Sequence, residues 1–534
     1  MTVAVTDKQR AVQLVGPNEL RLNQCKEVLA PREHQILARV EAVGLCFSDV
    51  KLLHQFQNHA RKSEVISGIA QDDLRSMPHY VPGSAPTVPG HEAVVRIARV
   101  GPKVTACEVG DRFLVQTDYR WLPTADSNAA FGHNFEGALQ EYVLFDQRVI
   151  TAPDGQSMLI RAPEDLSASA IALCEPWACV EHAYAERQRT TLRDDGQALL
   201  VYGAAVSAEI AHLPGKPRDV TIAAAEDIAA LPDAAYDDVI YFGADPTTVE
   251  QLFPKVAARG LFNIVQCGGK FEREVVSQVG RIHYGGIRLI GTAGTDPAEA
   301  MAAIPAVVEI RPNDRINVIG AAGPMGTMHV IRAICQGVPG VTVCAGDLSD
   351  ERMEVLRRVA EPLAREKGVN VQVYNPSVAD AGEEFDYIVV MVPSPAIIAA
   401  AVQHTAARAI INIFAGITAD KTAEIDLDTY IARQCYFVGT SGSLLEDMKT
   451  VLARVTAGHL DTNLSVAAVS GLGGAIDGLR AVEGNLLTGK IIVYPSCRDL
   501  RLTPISELSL DLPLENGRWG KRAEEALLLR FEEP

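Results

Sequence analysis

The stretch RINVIGAAGPMGTMHV, from Arg315 to Val330, combines a short apolar run, a glycine-rich turn and the start of a helical pattern. Its three glycines, Gly320, Gly323 and Gly326, have the spacing that permits a tight turn, close approach of backbone to a pyrophosphate and close helix–strand packing. The helix that follows would direct free N–H groups at the phosphates. The stretch therefore predicts an α/β fold with a doubly wound parallel sheet and a dinucleotide-binding turn. A tight turn without a ligand is the alternative interpretation.

The segment after the turn, VTVCAGDLSDERMEVL, predicts a second strand and helix, with Asp347 at the end of that strand. A carboxylate at this point accepts hydrogen bonds from the adenosine ribose and repels a 2′-phosphate, which favours NAD over NADP. Capping of the next helix is an alternative role for Asp347, and both roles can coexist. The predicted cofactor-binding residues are Gly320, Ala322, Gly323, Pro324, Met325, Gly326, Asp347 and Arg352.

Three strand-like segments of this region have earlier counterparts in the same order. AYDDVIYFGADPTTVEQLF, from Ala235, matches EFDYIVVMVPSPAIIAAAV, from Glu384, so that Asp238 corresponds to Asp386 at an offset of 386 − 238 = 148 residues. GLFNIVQCGG matches AIINIFAGI, and IRLIGTAG matches CYFVGTSG, at nearly the same offset. This regularity predicts a duplicated sheet unit, with chance similarity among parallel strands as the alternative.

The earlier copy is predicted to be reduced. It has Gly203 but lacks the second and third turn glycines and an equivalent of Asp347, so we expect it not to bind NAD. Its role as a spacer, an oligomer surface or a wall of the cleft stays open.

Residues from about 10 to 150 read as short strands punctuated by glycine, proline and aspartate. Within them, GLCFSDV and VPGHEAV contribute Cys46, His91 and Glu92, a thiolate, an imidazole and a carboxylate that suit Zn²⁺ with an open position for substrate. Glu175, in CEPWACVEHAY, is predicted to supply a fourth ligand or a mobile carboxylate. Taken singly, a cysteine on a strand is more often part of the core.

Together these motifs resemble the zinc-dependent medium-chain dehydrogenase/reductase family, the group of alcohol, sorbitol and threonine dehydrogenases. The resemblance covers roughly residues 10–190 and 312–495 and rests on GLCFSD, PGHEAVVRIARVG, VGDRF, EGALQEY, EPWACVEHA, GAAGPMG and GKIIVYP. It implies a GroES-like β-rich catalytic domain and a Rossmann domain, to which the repeat adds a truncated Rossmann-like unit. It also implies that Cys46, His91 and Glu175 bind the catalytic zinc, with Glu92 a ligand or its close neighbour.

The resemblance assigns two further roles near the metal. Ser48 would hydrogen-bond the substrate hydroxyl and start the proton relay, and Asp49 would orient the ligand His91. A histidine common in the family is Lys51 here, so Lys51, His54 or water is expected in the outer relay.

Other departures from the family pattern are equally specific. The loop QTDYRWLPTADSNAAFGHNFEGALQEY has no cysteines, so we expect one catalytic zinc and no structural zinc. The inserted residues 47–88 are expected to form either a lid over the cleft or a surface loop without a role at the site. Several sequence motifs resemble most closely those of sugar-alcohol and sugar-phosphate reductases of the L-sorbose-1-phosphate type. Arg120, Lys51 or Arg61 would then meet a phosphate, unless each is a solvated surface cation.

Bulk composition limits the possible partners and location. The 534 residues carry a formal net charge of 49 − 67 = −18, which argues against broad binding to nucleic acid or anionic membranes. No apolar run reaches the ~18 residues of a membrane span, and MTVAVTDKQR lacks a signal-peptide pattern. Ten scattered cysteines favour a reducing cytoplasm. From the family resemblance we expect a homodimer or homotetramer.

The predicted domains are a GroES-like zinc catalytic domain (1–190), a degenerate Rossmann-like unit (191–305), an NAD-binding Rossmann domain (306–460) and a C-terminal return to the catalytic domain with a tail (461–534). The predicted function is interconversion of a secondary alcohol, such as a polyol, sugar or sugar phosphate, with its ketone by hydride transfer with NAD(H). Whether the NAD domain serves its own or a neighbouring subunit's zinc cleft stays open. The alternatives are a zinc-free, NADPH-dependent reductase of activated double bonds and a non-catalytic NAD-binding assembly protein.

Overall fold

The computed structural model describes residues 5–203, 215–379, 381–382, 384–440, 442–508 and 511–531. The chain forms two compact units. The first consists of Met1–Ala178 and Ser443–Pro534, and the second of Cys179–Gly442. The first unit is therefore built from both ends of the chain. The predicted turn of the earlier copy, directly after Gly203, lies outside the described residues.

The N-terminal part of the first unit is mainly β-structure with short helices. Its strands are β1 (Lys8–Gly16), β2 (Glu19–Glu27), β3 (Gln35–Gly44), β4 (Glu92–Val100), β5 (Arg112–Val115), β6 (Asp118–Pro123), β7 (Asn128–Ala130), β8 (Tyr142–Asp146) and β9 (Leu159–Arg161). Its helices are α1 (Phe47–Gln55), α2 (Gln71–Arg75), α3 (Gln147–Ile150), α4 (Ala168–Ala172) and α5 (Cys174–Ala185), the last of which runs on into the second unit.

The inserted segment between Cys46 and His91 contains α1, two 3₁₀ turns and α2. It is fastened to the β6–β7 region of the same unit, because Thr124 Oγ1 donates to the carbonyl of Ala60 at 3.0 Å and Asn134 Nδ2 donates to that of Ser63 at 3.0 Å.

The second unit begins with a five-stranded parallel sheet of order β11-β10-β12-β13-β15. Its strands are β10 (Gln197–Tyr202), β11 (Asp219–Ala224), β12 (Tyr236–Phe242), β13 (Val256–Val265) and β15 (Arg288–Thr292), and a short strand β14 (Val275–Ser277) lies outside it. The helices are α6 (Pro246–Leu252), α7 (Val279–Gly285) and α8 (Pro297–Ala302).

A six-stranded parallel sheet follows, in the doubly wound order β18-β17-β16-β19-β20-β22. Its strands are β16 (Arg315–Ile319), β17 (Thr342–Gly346), β18 (Asn370–Tyr374), β19 (Phe385–Val390), β20 (Thr405–Ile413) and β22 (Tyr436–Val438), and β21 (Ala423–Ile425) lies outside it. The helices are α9 (Pro324–Cys335), α10 (Asp350–Lys367), α11 (Pro395–Gln403) and α12 (Leu427–Ala432). Continuous apolar runs such as Tyr387–Val390 suit strands that are covered on both faces.

The two sheets correspond strand by strand, except that the described part of the first has no counterpart of β18. The structure corrects one match made from the sequence. The carboxylate of Asp237 accepts from the N–H of Gln197, the first residue of β10, and that of Asp386 accepts from the N–H of Arg315, the first residue of β16. Asp386 therefore corresponds to Asp237 and not to Asp238. The predicted α/β fold with an additional truncated Rossmann-like sheet is confirmed.

The chain then returns to the first unit through α13 (Leu445–Thr456), β23 (Val466–Ser470), α14 (Ala475–Glu483), β24 (Lys490–Val493), β25 (Thr503–Pro504), α15 (Ile505–Leu508) and α16 (Lys521–Leu529). These strands extend the N-terminal sheet, giving the order β25-β23-β24-β3-β4-β5-β9, with β8 also paired to β3. One hydrophobic core contains residues from both ends of the chain, for example Val43 and Val95 with Ile491 and Val493. The return is therefore an integral part of the first unit.

Candidate metal and cofactor sites

The ends of two neighbouring strands bring the predicted metal ligands together. Cys46 follows β3 and occupies the N-cap position of α1, while His91 precedes β4 and Glu92 is its first residue. Because Gly44 of β3 lies opposite Glu92 of β4, the three side chains share one corner of the sheet. One ligand atom from each of Cys46, His91 and Glu92 lies within 4.8 Å of the others. A Cβ at Gly44 would overlap the Glu92 carboxylate, so glycine makes room for it.

Asp49 holds the imidazole of His91 in place. Its Oδ1 lies 3.1 Å from His91 Nδ1 and also accepts from the Gly90 N–H, while Oδ2 accepts from the Cys46 N–H at 3.0 Å. Burial alone would raise the pKa of Asp49, but the His91 charge and these hydrogen bonds outweigh burial and lower it. With Nδ1 engaged by a carboxylate, Nε2 is the nitrogen available to a metal. Ser48 Oγ lies 3.0 Å from this Nε2.

The surroundings of the Glu92 carboxylate indicate whether the site suits a cation. It is fully buried, and its Oε1 accepts from Lys490 Nζ at 2.5 Å. Its Oε2 has no hydrogen-bond partner among the described residues. A buried carboxylate oxygen without a partner is costly, and coordination to a metal ion would satisfy it. Together with a thiolate and an imidazole, this donor set fits Zn²⁺.

Glu175 lies near this cluster but outside the three-residue group. It is the second residue of α5 and is buried. Burial raises the pKa of Glu175 to about 7; the His91 charge opposes this shift and the Glu92 charge adds to it. The structure thus places Glu175 within electrostatic reach of His91 and Glu92, but no oxygen of Glu175 lies within 4.8 Å of all three of the other ligand atoms.

Two residues near the cluster received no role from the sequence. Lys490, the Glu92 partner, begins β24, whose pairing with β3 brings it to this corner. His133 is buried with Nε2 unpartnered among the described residues, and its ring centroid lies 5.8 Å from that of His91 and 5.0 Å from that of His59. Lys490 lies in the motif GKIIVYP and His133 in FGHNFEGALQEY. The only signal in the sequence for either residue is that it is a charged or ionisable side chain within such a motif.

The side chains proposed from sequence for a phosphate or an outer relay have protein partners. Arg61 pairs with Asp118 at 2.9 Å, and Arg120 donates to the carbonyl of Ser443 at 2.7 Å. His54 Nε2 lies 2.8 Å from a carboxylate oxygen of Glu483. In each case the partner is another residue of the first unit.

The glycine turn in the second unit has the form expected of a phosphate cradle. Gly320 directly follows β16 and has φ of 82°, in the region that favours glycine. A Cβ on Gly326 would overlap the Gly320 carbonyl oxygen and lie 2.9 Å from the Cα of Ala321. Gly323 is the N-cap of α9, and Pro324 is its first residue. The free N–H groups of this helix end therefore lie at the turn.

Asp347 contacts the glycine turn directly. Its Oδ2 accepts from the N–H of Ala322 at 3.0 Å, and its Oδ1 accepts from the N–H of Ser349 at 3.1 Å. The N-cap of α10 is Ser349, whose Oγ accepts from the N–H of Arg352 at 3.3 Å, so the capping role considered for Asp347 belongs to Ser349. Arg352 lies in the first turn of α10.

Comparison with known proteins agrees with this architecture. Residues 32–154 match the alcohol dehydrogenase GroES-like domain. The L-sorbose 1-phosphate reductase of Klebsiella pneumoniae is 28% identical over 242 residues, covering 42% of this chain and 58% of that protein. An uncharacterized protein of Escherichia coli (strain K12), YggP, is 28% identical over 250 residues with the same coverage. The chain thus spans less than two thirds of the length of these relatives.

Among solved structures, 2R,3R-butanediol dehydrogenase from Bacillus subtilis aligns over 91% of this chain and 99% of its own, with a TM-score of 0.54 and 16% identity, which is a likeness of fold. The chain thus contains an alcohol dehydrogenase GroES-like domain, and its matched segments are similar to those of dehydrogenases and reductases of the medium-chain class. In the parts of the chain that the structure describes, no helix is both long and apolar enough to cross a membrane.

Proposed function

We propose that the protein is a zinc- and NAD-dependent oxidoreductase that interconverts a secondary alcohol and its ketone. The observation that carries this proposal is the Cys46–His91–Glu92 cluster, in which one Glu92 oxygen is buried without a partner. The same chain has a glycine turn suited to a dinucleotide. The alternative function, that of a zinc-free reductase, would not account for these three metal-binding side chains.

Zinc would be held by Cys46, His91 and Glu92, with Glu175 as a further ligand, and would supply a Lewis acid that polarises the substrate oxygen. Asp49 keeps His91 oriented, and the Ser48 hydroxyl, 3.0 Å from His91 Nε2, is placed to take up the proton of a substrate hydroxyl. We propose one zinc per chain, because the cysteine-free loop offers no second thiolate set.

The cofactor is proposed to be NAD. The Asp347 carboxylate is fixed against the turn by the Ala322 N–H, where a 2′-phosphate would meet its negative charge. The substrate is proposed to be a polyol, sugar or sugar phosphate. Support comes from relatives named L-sorbose 1-phosphate reductase, sorbitol dehydrogenase and erythritol/L-threitol dehydrogenase. Ten cysteines without a disulfide favour a cytoplasmic setting, and a homodimer or homotetramer is the assembly expected from the family.

The decisive experiment combines metal analysis with an NADH absorbance screen of polyols and sugar phosphates. Wild-type protein should contain one zinc per chain, and Cys46→Ser and His91→Ala should lose both zinc and turnover while still binding NAD. Cys25→Ser, which alters an exposed thiol, is the matched control and should keep zinc and activity. Normal turnover in a verified metal-free His91→Ala protein would refute the zinc assignment.

A further inference from the structure

The two sheets of the second unit meet at their edges. Strand β15 ends the first sheet and β22 ends the second, and the two lie against each other. Beside them β14 and β21 form a separate two-stranded antiparallel sheet. Residues from both sheets share one hydrophobic core, including Ile282 and Leu289 with Tyr430 and Phe437. The first sheet therefore covers the edge of the second.

The elements that meet at this edge are equivalent copies of each other. Strands β13, β14 and β15 and helix α7 correspond in order to β20, β21 and β22 and helix α12. Arg259 in β13 and Arg408 in β20, 149 residues apart (408 − 259 = 149), both have positive φ, at 58° and 61°. Because a positive φ is uncommon for arginine, the shared distortion marks the two strands as matching backbones.

The pairing of β14 with β21 is self-complementary. Val276 lies opposite Glu424, its own equivalent at an offset of 424 − 276 = 148. On either side, Val275 lies opposite Ile425, and Ser277 lies opposite Ala423, which are the same two positions exchanged. This exchange of partners is the pattern of a two-fold axis, which here passes between Val276 and Glu424.

Contacts on the neighbouring elements repeat this exchange. A Cβ on Gly291 of β15 would lie 2.7 Å from the Ile431 side chain of α12 and 2.8 Å from the backbone carbonyl oxygen of Ile264, so that glycine leaves the space for this contact. A Cβ on its equivalent Gly439, just after β22, would lie 2.5 Å from the backbone Cα of His283 in α7, the residue equivalent to Ile431. Each copy thus presents a glycine to the helix of the other, and the two-fold relation extends beyond the short strands.

We propose that the first sheet is a built-in partner subunit. An isologous contact, which would ordinarily join two copies of a chain, is made here within a single chain. The reduced copy has kept the strands and helix that form this contact while its first strand lacks the turn glycines of a cofactor site. A second copy of the chain consequently has no access to β22, and any assembly must use another surface.

Single cysteines on the two-fold axis distinguish the two arrangements. If two chains met through β21, the residues at position 424 would face each other, and Glu424→Cys would oxidise to a covalent dimer. In the arrangement proposed, that cysteine faces Val276 of its own chain, and Glu424→Cys stays monomeric on a non-reducing gel. The substitution is mild because Glu424 is exposed and lies outside both candidate sites.

The double variant Val276→Cys/Glu424→Cys provides the positive arm, since directly opposed residues on antiparallel strands lie within disulfide reach. We expect a 276–424 disulfide within one chain, identified by peptide mass spectrometry of the monomeric band, in a Cys25→Ser background that removes an exposed thiol. A covalent dimer of the single variant, a 276–424 link between chains, or no link in the double variant would each overturn the proposal.

Discussion

Alanine at Gly326 tests the geometry of the glycine turn. The added Cβ would overlap the Gly320 carbonyl oxygen and lie 2.9 Å from the Cα of Ala321, and backbone atoms cannot swing aside as side chains do. Overpacking of this kind costs about 3 kcal/mol at the upper end of its range. Alanine regains about 1 kcal/mol through its higher helix propensity. The net loss of about 2 kcal/mol corresponds to roughly 30-fold in the local opening equilibrium.

Gly323 provides the matched control. Its φ of −80° suits any residue, and the nearest atom to an added Cβ is the Gly320 oxygen at 3.8 Å. Gly323→Ala should therefore cost only the weaker capping of alanine, about 1 kcal/mol, which is less than the expected loss for Gly326→Ala. It should still weaken NAD binding about tenfold or more, because the methyl group stands where the backbone would approach the pyrophosphate.

Hydrogen exchange of peptides covering β16 and α9, with calorimetric titration of NAD, measures both effects. Tryptophan fluorescence would miss them, since Trp121, Trp177 and Trp519 all lie in the first unit. Wild-type protection of these peptides in Gly326→Ala would refute the steric argument. Unchanged NAD affinity in Gly323→Ala would refute the assignment of the turn as the cofactor cradle.

Three further predictions concern buried charge, pH and cofactor choice. In the metal-free protein, Lys490→Met leaves the Glu92 carboxylate without its counter-charge. It should then lower the free energy of unfolding of the first unit by about 3–5 kcal/mol, measured by urea titration with tryptophan fluorescence, and adding Glu92→Gln should restore part of this loss. Burial lowers the pKa of His79 from 6.5 to about 4, so the unfolded chain binds more protons between these values and stability falls as the pH drops through them. His79→Phe should remove about 3 kcal/mol of that loss, and an unchanged pH profile of thermal unfolding would contradict this. Asp347→Gly should raise the catalytic efficiency with NADP relative to NAD. An unaltered ratio would show that Asp347 only stabilises the glycine turn and does not select the cofactor.

Most of the predicted site residues were found from local motifs, because the chemistry of such motifs is encoded in residues that are neighbours in sequence. The glycine turn is specified within seven residues, and Cys46, His91 and Glu92 stand in two short motifs. The structure brings the latter three together through the β3–β4 pairing. Fold class followed from the same motifs and the repeat.

Features that depend on distant pairing could not be obtained in this way. Lys490 reaches Glu92 across 490 − 92 = 398 residues, because β24 pairs with β3. The one-residue error in matching Asp238 to Asp386 arose because the sequence has two adjacent aspartates at this point. The hydrogen bond to Gln197 and the strand register identify Asp237 as the equivalent residue. The exchanged contacts of the two sheets likewise depend on tertiary structure.

The pairing of β24 with β3 also has a consequence for biosynthesis. The N-terminal sheet stays incomplete until the ribosome has made residues beyond 490, whereas all strands of the second unit are available once residue 438 has emerged. Because domains generally fold as units during synthesis, the interior of the chain is expected to fold before its N-terminal region. The early strands must then wait with apolar residues such as Val43 exposed, which makes this region the point at which a chaperone is most needed.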